Sequence, residues 1–234
     1  MALVFLAVAG NEKRAAAGLT RQNWKSAVLI VLAFVGIYIV RTVVSVAVQG
    51  VSDGSGMQYV KEWAAMFKNP MMWLNIAALP INYFFVFIAF FGEEYGWRYY
   101  LQPVLQKRFG LRAGVIILGV VWGLWHIPDD LFYYTQTSGI QMIFAQQITC
   151  ISLGIFFAYA YMKTQNIWVP VCLHYLNNNL IPIISGTFSA DVLENQTVSW
   201  KDLPVALVLN GLCFGFFLLA DCLLYTSPSP RDGL

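Results

Sequence analysis

Long apolar runs separated by short polar stretches dominate the chain. A helix that crosses a bilayer needs about 20 predominantly apolar residues, and about six segments approach or exceed that length. The pattern lacks the alternation over about ten residues that is typical of transmembrane strands. It therefore predicts an all-α fold, a polytopic transmembrane helical bundle of about six spans. The predicted spans are residues 26–48, 82–102, 111–127, 140–162, 167–184 and 203–225.

The same pattern divides the chain into three parts. Residues 1–25 form a predicted cytoplasmic or interfacial segment, because their apolar run MALVFLAVAG is too short to cross a bilayer. Residues 26–225 form one membrane-embedded domain. Residues 226–234 are a candidate for non-native sequence, because the run YTSPSPRD resembles translated sequencing adapter.

Composition and charge agree with a membrane location. The chain is 59% hydrophobic and only 11% charged, whereas soluble domains are about 25% charged. Its partners are therefore expected to include the lipid bilayer of the cell membrane, the plasma or inner membrane. Lys and Arg concentrate in alternate connections, which predicts that both termini are cytoplasmic. The chain lacks a basic nucleic-acid patch or phosphate-binding glycine loop, so no nucleic-acid partner is expected.

The motif EEYGWR carries two acids and a guanidinium at the end of a strongly apolar run. An ionised side chain at mid-bilayer costs about 2.5–3.5 kcal/mol on insertion scales, so such groups need partners. On a helix, Glu94 and Arg98 are four residues apart and lie on one face, where they can pair. Glu93 is rotated by about 100° from Glu94. The spacing predicts a structural role for Glu94 and a chemical role for Glu93.

Both histidines of the chain lie in predicted spans, His126 in VVWGLWHIP and His174 in VPVCLHYLNNNL. Asn178 follows His174 by one helical turn on the same face. A carboxylate in a low-dielectric site is a better base near neutral pH, so Glu93 is the candidate to activate water, with His126 relaying the proton. His174 and Asn178 are candidates to stabilise the oxyanion that forms when a peptide carbonyl is attacked.

Three motifs together resemble one family. EEYGWR fits EExxxR, VVWGLWHIP resembles a second motif that ends in histidine, and HYLNN gives HxxxN, in the order seen in the CPBP family of CAAX-type endopeptidases and bacteriocin-processing or immunity (Abi) proteins. The resemblance covers roughly residues 82–185. It implies a glutamic-type intramembrane endopeptidase acting on a membrane-associated, prenylated or bacteriocin-like peptide or protein. Trp122 stands where the second motif often has Phe.

The resemblance implies a role for each matching residue. Glu93 and His126 are expected to activate water, His174 and Asn178 to form the oxyanion hole, and Glu94 and Arg98 to support them. No metal or other cofactor is expected, since HExxH is missing and a catalytic zinc site needs three protein ligands.

The same residues are compatible with other functions. Glutamate and histidine are good zinc ligands, so a zinc-dependent version of the hydrolysis is the nearest rival. A non-catalytic immunity or binding protein and a proton-coupled transporter are the others. Two further charged positions are predicted to be peripheral: Arg41 reaches toward an interface without a visible partner, and Asp129 and Asp130 lie in a solvated loop after His126.

Overall fold

The computed structural model describes residue 14 and residues 17–19, 21–52, 54, 57–186 and 190–224, and every regular element in them is helical. The predicted tail, residues 226–234, and most of the predicted segment 1–25 lie outside the described residues. The elements are α1 (Trp24–Ser52), α2 (Gln58–Met66), α3 (Pro70–Glu94), a π-helical segment (Tyr95–Leu101), α4 (Gln102–Phe109), α5 (Leu111–Trp125), α6 (Ile127–Phe132), α7 (Gly139–Thr164), α8 (Trp168–Ser185), α9 (Ala190–Leu193), α10 (Asp202–Cys213), a 3₁₀ segment (Gly215–Leu219) and α11 (Asp221–Leu224). The predicted all-α polytopic bundle is confirmed.

Four helical stretches of the described chain are long and apolar enough to cross a membrane, which makes this a multi-pass membrane protein. They are Trp24–Val48, Pro70–Phe109, Leu111–Phe132 and Gly139–Thr164. The predicted span 167–184 corresponds to α8, whose 18 residues include His174 and three asparagines and are therefore less apolar than the four stretches above. The six predicted spans are therefore an approximate count.

Two predicted spans need correction. The span predicted at 82–102 is part of a continuous helical stretch of 40 residues, Pro70–Phe109. It begins earlier because the Asn69 side chain accepts a hydrogen bond from the Met71 amide and caps the helix, and Pro80 does not divide it. The span predicted at 203–225 is interrupted, because Phe214 leaves helical geometry and Ala220 is extended.

The region after Glu94 is wound as a π-helix rather than the α-helix that the sequence predicts. π-helical turns are rare in proteins, and those that occur often lie at functional sites. Here it lies directly after the two glutamates and includes Arg98, so it sets the direction in which that arginine enters the bundle.

The core of the bundle forms where α7 packs on α5 and where α3 packs on α8. The first contact is close because it uses glycine: a Cβ atom on Gly119 would lie 2.6 Å from the Cα of Ile151. Buried aromatic side chains such as Phe156 and Phe157 fill the space beside this contact. The two tight helix pairs bring the EEYGWR motif, the end of α5 and the middle of α8 to one region.

Candidate active site

A buried ion pair fixes the first motif. The Arg98 Nε donates to Glu94 Oε2 at 2.9 Å, and both side chains are fully buried. Arg98 Nη1 also donates to the Gly154 carbonyl at 3.2 Å. The predicted pairing of Glu94 with Arg98 is therefore present, and it joins the first motif to α7.

Glu94 also faces the third motif. Its Oε1 lies 2.9 Å from His174 Nδ1, at ion-pair distance but outside hydrogen-bond geometry. A carboxylate in this position favours a proton on the facing nitrogen of the imidazole. Glu94 therefore holds Arg98 with one oxygen and faces His174 with the other, a contact that the sequence analysis did not predict.

Trp122 brings the second and third motifs together. Its ring lies 5.4 Å from the His174 ring and 5.9 Å from the His126 ring, centroid to centroid. The Arg98 guanidinium lies 5.3 Å from the same ring, within cation–π range. Both histidines therefore pack against one tryptophan, at the position where the second motif often has phenylalanine.

His126 is held at the end of α5. Its Nδ1 lies 2.9 Å from the Trp122 carbonyl, one turn earlier. A carbonyl oxygen can only accept, so Nδ1 is the nitrogen that carries hydrogen in this contact. In the neutral ring the other nitrogen, Nε2, then keeps its lone pair, which is the form that a proton acceptor needs.

Glu93 differs from its neighbour. It is partly buried, and its Oε2 is shielded from solvent without accepting a hydrogen bond from any described residue. A buried carboxylate oxygen without a partner is costly and is often found where a ligand or water binds. Within the first motif, Glu94 is thus engaged on both oxygens and Glu93 is available.

Asn178 follows His174 by one helical turn on α8, but unlike His174 it is not buried. Its side chain is exposed, and its Oδ1 accepts a hydrogen bond from Asn177 Nδ2 at 2.9 Å. No hydrogen bond joins Asn178 to His174. Asn178 instead lines a cavity of about 350 Å³ between α3 and α8, together with Asn75 and Asn82. The structure therefore places this predicted site residue on the groove between α3 and α8.

Metal ligands do not converge in this region. Among the described residues, no three His, Cys, Asp or Glu side chains are placed to hold a metal ion. Both histidines direct Nδ1 at protein oxygens, which leaves Nε2 of each ring as the nitrogen that could bind a metal. A catalytic zinc site needs three converging protein ligands, so zinc dependence stays a prediction that a chelator experiment tests.

The prediction of a solvated loop after His126 is wrong for one of its two acids. Asp130 is fully buried, and neither of its carboxylate oxygens has a hydrogen-bond partner in the described part of the chain, whereas Asp129 is exposed. The reason is that the chain does not leave the bundle after His126 but forms the short helix α6, which packs on α7. The sequence, in which the two acids are adjacent, does not indicate that only Asp130 is buried.

A carboxylate, two histidines and a buried acid–arginine pair inside a membrane bundle are the groups of a candidate hydrolytic site. Comparison with known proteins supports this class. The sequence model of the family described as type II CAAX prenyl endopeptidase, Rce1-like, matches residues 73–180, a range that contains every predicted site residue. This region of the chain matches that family's model, and the predicted resemblance to the CPBP proteins is confirmed.

The curated protein CAAX prenyl protease 2 of Methanococcus maripaludis is 27% identical to the chain over 125 residues. The match covers 50% of this chain and 45% of the relative, so the chain corresponds to a little under half of that protein's length. No solved structure matches the chain.

Proposed function

We propose that this protein is an intramembrane endopeptidase that hydrolyses a peptide bond of a membrane-associated substrate by a glutamic mechanism. The observation that carries the proposal is the contrast between the two adjacent acids. Glu94 is fixed between Arg98 and His174, whereas the buried Oε2 of Glu93 has no hydrogen-bond partner among the described residues. That division matches a structural acid beside a catalytic one.

In the first step, Glu93 and His126 activate a water molecule. Glu93 accepts a proton from the water, and the Nε2 lone pair of His126 orients it or relays the proton. The contact between His126 Nδ1 and the Trp122 carbonyl supports this tautomer. The resulting hydroxide oxygen bonds to the carbonyl carbon of the substrate, and general acid–base catalysis of this kind contributes about 10²–10⁴-fold in rate.

In the second step, Asn178 and His174 stabilise the oxyanion. Asn178 Nδ2 is a donor in any protonation state of the site. His174 directs Nδ1 at Glu94, so its Nε2 donates to the oxyanion when both ring nitrogens carry hydrogen. The C–N bond then breaks, and the proton taken from water passes to the leaving nitrogen.

The proposed substrate is a peptide or protein held at the membrane, such as a prenylated CAAX protein or a bacteriocin-like peptide. The name of the archaeal relative, CAAX prenyl protease 2, supports the first of these. The groove between α3 and α8 supports binding of an extended peptide, because amides on both helices line it, including Asn75, Asn82 and Asn178. Side-chain amides both donate to and accept from a peptide backbone.

The test is cleavage of a quenched fluorescent peptide with a prenylated CAAX end by the purified protein in liposomes treated with chelator. We expect cleavage by wild type in chelator and a loss of at least about 100-fold in kcat for Glu93→Gln. The matched control is Glu62→Gln, since Glu62 is exposed on α2 and its side chain accepts a hydrogen bond from Gln58 on the same helix; its kcat should equal that of wild type.

Two other outcomes would favour the rival functions. Activity that chelator abolishes and zinc restores would favour the zinc-dependent hydrolysis. No cleavage of prenylated or bacteriocin-like peptides by wild type would contradict the proposal and favour a binding protein or a transporter.

A further inference from the structure

A chain of hydrogen bonds connects α1 to the proposed oxyanion residue. The Tyr38 hydroxyl donates to Asn177 Oδ1 at 2.5 Å, and Asn177 Nδ2 donates to Asn178 Oδ1 at 2.9 Å. Tyr38 is buried, whereas the two asparagines are successively more exposed. This series of hydrogen bonds thus runs from the core of the bundle outward to the groove.

The direction of these bonds determines which end of the Asn178 amide is available. The hydroxyl occupies the oxygen of Asn177, so the Asn177 nitrogen is the group that faces Asn178. Because that nitrogen can only donate, it takes the oxygen of Asn178 as its acceptor. The Nδ2 of Asn178 then makes no side-chain hydrogen bond with the described residues and remains available as a donor.

Tyr38 is itself held firmly. Its ring packs edge-on against Phe34, with the ring centroids 4.9 Å apart, and lies tilted against Phe214 at 5.0 Å. The Arg41 guanidinium lies 5.8 Å from the centre of the same ring, and Arg41 Nε donates to Asn210 Oδ1 at 2.7 Å. Arg41, which the sequence analysis left without a partner, therefore has one, and the arginine packs beside the tyrosine.

We propose that Tyr38 is a positioning residue for the proposed endopeptidase: through Asn177 it orients the Asn178 amide so that Nδ2 faces the oxyanion. The inference rests on the proposed function of Asn178. Without the tyrosine hydroxyl, the Asn177 amide is no longer fixed and can turn its oxygen toward Asn178. Asn178 would then turn its nitrogen to Asn177 and its oxygen, which repels an oxyanion, to the substrate.

The test is a double-mutant cycle with Tyr38→Phe, Asn178→Ala and the double variant, measured as kcat and KM on the prenylated peptide. We expect Tyr38→Phe to lower kcat by about three- to tenfold, the rate equivalent of one neutral hydrogen bond, with KM unchanged. In the Asn178→Ala background the same change should have no further effect on kcat. If Tyr38 had only a structural role, Tyr38→Phe would lower kcat by the same factor in the wild-type and the Asn178→Ala backgrounds.

The control is Thr164→Val, which removes a different buried hydroxyl, one that donates to the Ala160 carbonyl at 2.7 Å within α7; kcat should be retained. Asn177→Leu breaks the same series of hydrogen bonds without changing a core residue. If Tyr38→Phe unfolds, Asn177→Leu takes its place in the double-mutant cycle, and the same pattern of kcat values is expected. Unchanged kcat in both Tyr38→Phe and Asn177→Leu would overturn this inference, and so would equal losses of kcat in the wild-type and Asn178→Ala backgrounds. Either result would leave the proposed role of Asn178 intact. Wild-type kcat in Asn178→Ala would contradict the proposed role of Asn178 and the inference with it.

Discussion

Replacing Arg98 with methionine tests whether the buried ion pair holds the site together. The change removes the Nε contact to Glu94 at 2.9 Å, the bond to the Gly154 carbonyl and the guanidinium that packs between Trp122 and Phe157. Methionine retains most of the side-chain volume, so the main consequence is electrostatic: a fully buried carboxylate loses its arginine.

The structure sets the size of the effect. Because both side chains have no exposed surface, solvent does not screen the lost charge. Breaking a buried pair by removing one partner costs about 3–5 kcal/mol, a large part of the 5–15 kcal/mol that typically separates folded from unfolded protein. In the double variant Glu94→Gln/Arg98→Met the uncompensated charge is absent, so it should lose less stability than Arg98→Met alone.

The assay is unfolding by denaturing detergent in mixed micelles, followed by far-UV circular dichroism. The control is Arg108→Met, because Arg108 is exposed and lies over the ring of the neighbouring Phe109; we expect a change within about 0.5 kcal/mol. A free energy of unfolding for Arg98→Met equal to that of the control, or a double variant less stable than Arg98→Met, would refute the reasoning.

Three further changes probe the helix contact, the aromatic centre and the groove. Gly119→Ala places a methyl group 2.6 Å from the Cα of Ile151 and should lower the free energy of unfolding by about 1–3 kcal/mol; an unchanged thermal melt would contradict the tight contact of α5 with α7. Trp122→Phe should retain the fold, because the indole nitrogen has no hydrogen-bond partner among the described residues, whereas Trp122→Ala should lose about 3–5 kcal/mol; equal melting of the two variants would argue against the packing role. Asn75→Leu should raise KM several-fold with kcat unchanged, since it removes an amide from the groove; an unchanged KM would show that the substrate does not bind there.

Local spacing was sufficient to predict part of the site. Glu94 and Arg98 are four residues apart, and the predicted pair forms even though the helix winds as a π-helix immediately after Glu94. The helical class followed from the length of the apolar runs, because lipid favours structures that satisfy their backbone groups internally. These features depend on residues that are close together in the sequence, so a single sequence is enough to predict them.

Contacts between distant helices could not be predicted in this way. His174 faces Glu94 across 80 residues of sequence, and no periodicity specifies which helices become neighbours. The same holds for Tyr38, which reaches Asn177 from α1. Asp130 was assigned to a solvated loop because an acid after an apolar run usually marks a span end, and packing of α6 on α7 overrides that tendency.

The central claim is that the two adjacent glutamates have different roles, and one paired measurement tests it directly. For Glu93→Gln and Glu94→Gln, kcat on the prenylated peptide and the free energy of unfolding would be measured on the same preparations. The account predicts that Glu93→Gln loses at least about 100-fold in kcat while its stability stays near that of wild type, and that Glu94→Gln, which leaves Arg98 buried without its acid, loses stability. A Glu93→Gln variant with wild-type kcat, or one as destabilised as Glu94→Gln, would contradict the account.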